Sequence, residues 1–237
     1  MIYKPSLSLI IAAYNEAAII EESILTCIHI LEEDFEDFEI ILVDDGSKDA
    51  TGAIADTLDQ KYPCVRVLPN LINLNLGVSI QRGMAAASKD IVTFNAADLP
   101  LHPSQYKILV SEMHDLDMLV LEREEYLAAS KWRKFTSLVN RVLLTILFPR
   151  LKKGLRDTNY TQLVRKSIIP VIMPLARGPV FTMPEMIFRA KHAGLNVKAR
   201  GIEYNPQFVR KGAFGKPHDI ILSIYEMWRF RIRLWEI

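Results

Sequence analysis

Three short polar stretches in the first hundred residues carry side chains able to grip a phosphorylated ligand. They are Tyr14-Asn15-Glu16, Asp44-Asp45 and the lone Asp98 of TFNAADLPLHP (93–103). Carboxylates so placed can hold ribose hydroxyls and a base, or fix Mg²⁺ or Mn²⁺ against a diphosphate. A second group is cationic. From Lys131 to Arg156 there are eight Lys or Arg residues and no acid. A solvated helix face usually mixes its charges, so an all-basic span points to an anionic partner: phosphate, nucleic acid or lipid headgroups. The net charge of +1 conceals this, because residues 1–60 hold fourteen Asp/Glu against two Lys.

Each acidic stretch ends an apolar run that reads as a buried strand. SLSLIIAAY runs into Asn15-Glu16, EIILV into Asp44-Asp45, and IVTF into Asn95-Ala96-Ala97-Asp98. Between these runs, apolar residues recur at helical spacing, as in Ile20, Ile24, Ile28 and Leu31. Asn15 is a candidate N-cap for that first helix. TGAIADTLDQKY and GVSIQRGMAAAS give two further helices around the strand VRVLPN. The order β-α-β-α-β-α-β predicts an α/β fold with a mainly parallel sheet and helices on both faces. Ligands of such sheets bind beyond the carboxyl ends of the strands, where these polar residues sit.

With 237 residues, half of them hydrophobic, the chain suits one large domain or one domain with an appendage. Two cysteines, Cys27 and Cys64, without a CxxC or a His cluster argue against a disulfide framework or a zinc site and favour a reducing compartment. No secretory leader and no apolar run of about 18 residues is visible. GxGxxG after the first strand, GxxxxGK[ST] and GxSxG are all absent, which disfavours a dinucleotide enzyme, a P-loop and an α/β-hydrolase.

The second half is less regular. Trp132, Phe135, Leu138, Val139, Val142, Leu143, Ile146 and Leu147 form an apolar stripe flanked by Lys and Arg. It fits a core-facing helix or one lying in a membrane interface. PEMIFRAKHAG predicts a helix with a Gly stop, and VKARGIEY a strand. The tail HDIILSIYEMWRFRIRLWEI predicts a helix whose Trp and Arg residues favour a membrane–water boundary.

Taken together, AAYNEAAI, EIILVDDGSKDATG, NLGVSIQRGM and the strand ending in AADLPLHP resemble family 2 glycosyltransferases of the GT-A fold. The basic apolar helix followed by GLRDTNYTQLVRKS resembles the polyprenyl-phosphate branch of that family, which includes dolichol-phosphate mannose synthase and dolichyl-phosphate glucosyltransferase. The likeness covers roughly residues 6–216. It implies a GT-A domain over 1–205, with its nucleotide-binding half at about 1–125, and a basic amphipathic tail over 206–237. It implies an enzyme that moves a hexose, with inversion, from a nucleoside-diphosphate sugar to a polyprenyl phosphate. The expected place is peripheral, at the cytoplasmic face of a membrane, with a membrane-protein partner in view and no nucleic acid.

The same resemblance assigns roles. Ala12, Tyr14 and Glu16 would lie against the base, and Asp44 and Asp45 near base and ribose. Gly77 and Arg82 would line the nucleotide, as would Ala97 and Asp98. Asp98 would be the metal ligand for Mg²⁺ or Mn²⁺, Arg123 would reach the diphosphate, and Asp157 matches the family's Asp after the interfacial helix. A phosphate monoester acceptor is already anionic near neutral pH, its second pKa being about 6, so it needs cations in place of a base. Lys131, Arg133, Lys166, Arg210 and Lys216 are the candidates.

The chain also departs from the family pattern. Asp-x-Asp is here Ala96-Ala97-Asp98, and Pro100 stands where the family often has Gln. Asn95 could replace the first Asp only through a bulge, because neighbouring strand residues face opposite ways. Three readings stay open: a metal held by Asp98, diphosphate and water; metal-independent transfer aided by arginines; or a catalytically silent protein that keeps nucleotide or partner binding. A transferase to a sugar hydroxyl, in cell-surface polysaccharide or glycolipid synthesis, would need a base, with Glu185 the nearest candidate. Structural roles compete for several of these residues: a turn for Asp44-Asp45-Gly46-Ser47, an N-cap for Asp157, a favourable helix-dipole position for Glu185, and a turn for His102.

Overall fold

A computed structural model describes residues 5–123, 131–202 and 217–234. The continuous apolar runs form β1 (Leu7–Ala13), β2 (Phe38–Asp44), β3 (Val65–Pro69) and β4 (Ile91–Ala96). Between them lie α1 (Ile20–Asp34), α2 (Thr51–Lys61) and α3 (Leu76–Ala86). After β4 come α4 (Tyr106–Ser111), β5 (Met118–Arg123), α5 (Lys131–Leu147), α6 (Pro149–Lys152), β6 (Gln162–Arg165) and α7 (Ile169–Ile172). The described chain closes with α8 (Thr182–His192), β7 (Val197–Ile202) and α9 (Pro217–Arg233).

The strands form one seven-stranded sheet in the order β3-β2-β1-β4-β6-β5-β7. All neighbours are parallel except β6, which runs antiparallel to both β4 and β5. Strands β1, β2 and β4 are buried on both faces, which is why they read as unbroken apolar runs rather than alternating ones. Helices α1, α2 and α4 supply the core on one face, with Ile24, Leu31, Leu58 and Leu109 against Leu9, Ile11 and Leu42. On the other face α3, α5, α8 and α9 supply a second cluster, with Ile80, Leu144, Met186 and Met227 against Ile10, Ile41 and Val92.

Sheet order reverses at β1, whose neighbours are β2 on one side and β4 on the other. In sheets of this order the ligand crevice lies between the carboxyl ends of the two strands at the reversal, here β1 and β4. Because β5 runs with β4, its last residue, Arg123, reaches the same edge.

Four phenylalanines knit the second face. Phe148 lies 6.0 Å from Phe181, 5.0 Å from Phe188 and 5.6 Å from Phe230, centroid to centroid. Phe230 and Met227 of α9 are buried in this cluster, so the C-terminal helix belongs to the body of the fold. Phe148→Ala removes the ring shared by three helices. It should cost about 3–5 kcal/mol, read as a fall in denaturant midpoint.

Candidate active site

The β1–β2 side of the crevice is made by loops that hold one another. Asn15 sits in the left-handed region at φ 54°, which Asn tolerates better than most residues. Its N–H donates to Ser47 Oγ at 3.0 Å, and its Oδ1 accepts Lys48 N–H at 2.8 Å. Glu16 N–H donates to Thr51 Oγ1 at 2.8 Å and Ala17 N–H to Asp49 Oδ2 at 3.2 Å. Thr51 donates its hydroxyl and its N–H to Asp49 Oδ1, and these bonds, with that from Ala17, hold the Asp49 carboxyl below its ordinary range. Helix α1 begins only at Ile20 and has no side-chain cap, so Asn15 is a bridge between two loops and not the N-cap its sequence position suggests.

Asp44 ends β2 and Asp45 follows it, and both are buried. Asp44 Oδ1 accepts Ser47 N–H at 3.1 Å. Asp45 Oδ1 accepts Asn70 Nδ2 at 2.6 Å and Leu74 N–H at 2.8 Å, tying the β3–α3 loop to the edge of the sheet. Between these loops lies Gly46, at φ +71°, where an added Cβ would stand 2.4 Å from the backbone carbon of Ile72. The turn reading of Asp44-Asp45-Gly46-Ser47 is thus correct in its local bonds, and the same bonds shape the crevice wall.

Ala12 and Ala96 pair across β1 and β4, both partly exposed at the crevice floor. Tyr14 stands beside them, 41% exposed. Ala97 faces the other way, buried in the first core cluster, so its side chain offers nothing to a ligand. Gly77 opens α3, where an added Cβ would lie 2.4 Å from Thr182 Oγ1 and 3.0 Å from the carbonyls of Arg177 and Gly178. Its role is close packing of α3 against the entry to α8. Arg82 is exposed on α3 and donates to the Pro69 carbonyl at 3.0 Å, at the end of β3.

Asp98 lies on the turn that leaves β4, closed by Leu99 N–H to Ala96 O at 3.0 Å, with Leu99 at φ 46°. Asn95 cannot stand in for a first Asp. It is buried, and its Nδ2 donates to Leu101 O at 2.7 Å and to Tyr106 Oη at 3.0 Å. Among the described residues no group of three or more His, Cys, Asp or Glu could hold a metal ion. The donor set still fits Mg²⁺ or Mn²⁺ of the type bound through one or two carboxylates plus substrate phosphates and water. Ala12 and Ala96, paired at the ends of β1 and β4 and partly exposed, present only methyl groups there. His102 is a turn residue, its Nδ1 2.8 Å from Ser104 Oγ.

At the end of β5 the structure joins two residues that lie 34 positions apart. Arg123 Nε donates to Asp157 Oδ2 at 2.7 Å, and the guanidinium stands 5.1 Å from the Tyr160 ring centroid. Asp157 Oδ1 accepts Asn159 N–H at 3.0 Å, an Asx turn rather than a helix N-cap. Glu122 Oε1 accepts Arg156 N–H at 2.6 Å. Lys152 is buried beneath this loop and donates to the carbonyls of Leu155 and Arg156. Burial pushes its ammonium below the usual lysine range. One member of the all-basic span is therefore a structural brace, which spacing alone did not reveal.

The acceptor cations separate. Lys131 and Arg133 belong to α5. Arg210 and Lys216 lie outside the described residues. Lys166 is a correction: it follows the antiparallel β6 and so stands at the opposite edge of the sheet. There its Nζ donates to Ser88 O at 3.0 Å and its N–H to Asp90 O at 2.8 Å. Glu185 is buried and fully engaged, with Leu175 N–H at 3.0 Å, Ala176 N–H at 2.8 Å and Arg189 Nε at 2.8 Å.

Gly46→Ala tests the interlocked loops. It forces an L side chain into a left-handed position against backbone and should cost about 1–3 kcal/mol or more. A lowered Tm together with faster amide exchange at residues 70–75 is the expected result.

Comparison with known proteins agrees with this geometry. The family profile described as Glycosyl transferase family 2 matches residues 8–169. Dolichyl-phosphate beta-glucosyltransferase ALG5A of Trichomonas vaginalis is 25% identical over 214 residues, covering 84% of this chain and 65% of the relative. Glycosyltransferase AglD of Haloferax volcanii is 25% identical over 244 residues, covering 96% of this chain and 36% of the relative. The chain thus spans less than two thirds of either relative's length. Glucosyl-3-phosphoglycerate synthase from Mycobacterium tuberculosis, solved with Mn²⁺, UDP and phosphoglyceric acid, superposes with a TM-score of 0.70 at 22% identity. The superposition covers 96% of this chain and 78% of that one, a likeness of fold that places the sheet among GT-A glycosyltransferases. With the profile covering most of the sheet and both sides of the crevice, the chain belongs to glycosyltransferase family 2.

Proposed function

We propose that this protein transfers a hexose from a nucleoside-diphosphate sugar to a polyprenyl phosphate at a membrane surface, with inversion. The observation that carries this reading is that Asp98 and the Arg123–Asp157 pair lie at the same edge of the sheet. Transfer breaks the anomeric C–O bond and leaves negative charge on the departing diphosphate. Fixed cations stabilise that charge best when they need no reorganisation. Arg123 meets the requirement, since Asp157 fixes its guanidinium and the Tyr160 ring covers it. A divalent cation, held by Asp98 and the diphosphate, would add charge neutralisation there.

Acceptor chemistry separates the enzyme readings. A hydroxyl acceptor needs a base, and Glu185 already accepts two amides and an arginine. That favours an acceptor that arrives as an anion. The dolichyl-phosphate specificity named for the Trichomonas relative fits this chemistry. The surface supports a lipid-borne acceptor as well. On α5, Leu138, Val142 and Ile146 are exposed along one stripe, beside exposed Arg141. On α9, Ile221, Tyr225, Trp228 and Ile232 form a second exposed stripe, next to Arg229. Trp, Tyr and Arg on amphipathic helices suit the headgroup boundary of a bilayer. Among the described residues no helix is long and apolar enough to cross a membrane.

The catalytically silent reading draws on the single carboxylate of the metal motif. Titrating UDP- and GDP-sugars with Mn²⁺, then assaying turnover on polyprenyl phosphate and on 3-phosphoglycerate, separates the cases. Lipid-extractable product supports the proposal; turnover on the soluble phosphate alone overturns the lipid acceptor; nucleotide binding without turnover supports the silent reading. Asp98→Asn should weaken Mn²⁺-dependent nucleotide binding at least tenfold, and Ala96→Asp should tighten it. Trp228→Glu combined with Tyr225→Glu should abolish co-sedimentation with phosphatidylglycerol vesicles while leaving nucleotide affinity unchanged.

A further inference from the structure

The segment Leu175–Gly178 crosses from α7 to α8 without regular structure, and four successive backbone N–H groups in it are accepted by only two carboxylates. Glu185 of α8 takes those of Leu175 and Ala176. Glu226 of α9 takes those of Arg177 at 2.8 Å and Gly178 at 2.9 Å, both through Oε1. Glu226 is buried, and its Oε2 has no hydrogen-bond partner beside the Gly178 backbone. Burial, opposed by the two amides, raises its carboxyl above the ordinary glutamate range. A buried acid on an otherwise amphipathic helix is costly unless it holds something in place.

What it holds is the wall behind the crevice. Gln81 Nε2 of α3 donates to Ala176 O at 2.6 Å, and Thr182 Oγ1 donates to Gly178 O at 2.8 Å. The carbonyls of Arg177 and Gly178 stand against Gly77, where a Cβ would touch them at 3.0 Å. A chain of direct contacts therefore runs from Glu226 through the 175–178 backbone to the first turn of α3. That turn follows the 70–74 loop, which Asp45 fixes.

We propose that Glu226 is a positioning residue for the sugar-nucleotide donor: by fixing residues 177–178 it sets the first turn of α3, and so the shape of the nucleotide crevice, through contacts made from α9. This rests on the nucleotide-sugar reading given above. Charge-assisted bonds from two amides to one oxygen are strong, and no helix or strand of their own holds residues 177–178 once those bonds are lost.

The test is calorimetric titration of UDP and GDP with Mn²⁺ into the full chain as wild type, Glu226→Ala and Glu226→Gln, with steady-state kinetics on the donor. Glu226→Ala should weaken binding of the preferred nucleotide about tenfold and raise the donor KM with little change in kcat. Glu226→Gln keeps an amide oxygen for both N–H groups and should stay within about threefold of wild type. A merely structural role would lower Tm without this KM-selective loss or the Gln rescue. Should Glu226→Ala fail to fold, Gln81→Ala breaks the next link and must give the same KM-selective loss. Wild-type affinity in folded Glu226→Ala, or in Gln81→Ala, overturns the inference while leaving the donor reading intact. Failure of the wild type to bind either nucleotide overturns the donor reading itself.

Discussion

The described loops at the carboxyl edge of this sheet share one constraint. Many of their backbone N–H groups have no ladder or helix partner, and burying them unpaired costs free energy. Here carboxylates accept several of them. Asp44, Asp45 and Asp49 do so on the nucleotide side, Glu122 and Asp157 on the side of β5, and Glu185 and Glu226 behind the crevice. The acid excess of the first sixty residues is therefore partly an architectural device. Loops of polar sequence are held in one conformation without helix or strand.

This dual use explains what could and could not be read from sequence. The alternating runs of residues 6–96 give β1 to β4 and α1 to α3 almost as written, because burial on both faces leaves a continuous apolar signal. Asp98, Arg123 and Asp157 are candidate site residues in the sequence because they end strands or follow a recognisable motif. The partners of each carboxylate were not legible, since they depend on loops that meet only in three dimensions. Asn15 looks like a cap because caps and loop bridges favour the same residue type.

The misplacement of Lys166 has a topological cause. A short strand of four residues carries no mark of its direction, and β6 runs against its neighbours. Reversal sends the residue after it to the far edge, away from Asp98. Lys152 fails in another way: a basic run suggests a uniform surface, yet one member turns inward to brace the loop bearing Asp157. Glu226 gave no signal at all, being one of two acids, with Asp219, on an amphipathic helix rich in arginine.

The position of Glu226 along the chain has a consequence for biosynthesis. Most contacts that shape the nucleotide side join residues about 30 positions apart and form early as the chain emerges. The clamp on residues 177–178 joins partners separated by 48 and 49 positions, and its carboxylate comes from a helix that starts only at Pro217. A nascent chain can assemble β1 to β4 long before that helix leaves the ribosome. If Glu226 acts as proposed, donor binding waits for the helix that also displays Trp228, and a truncated translation product would carry a recognisable sheet and an unfinished crevice.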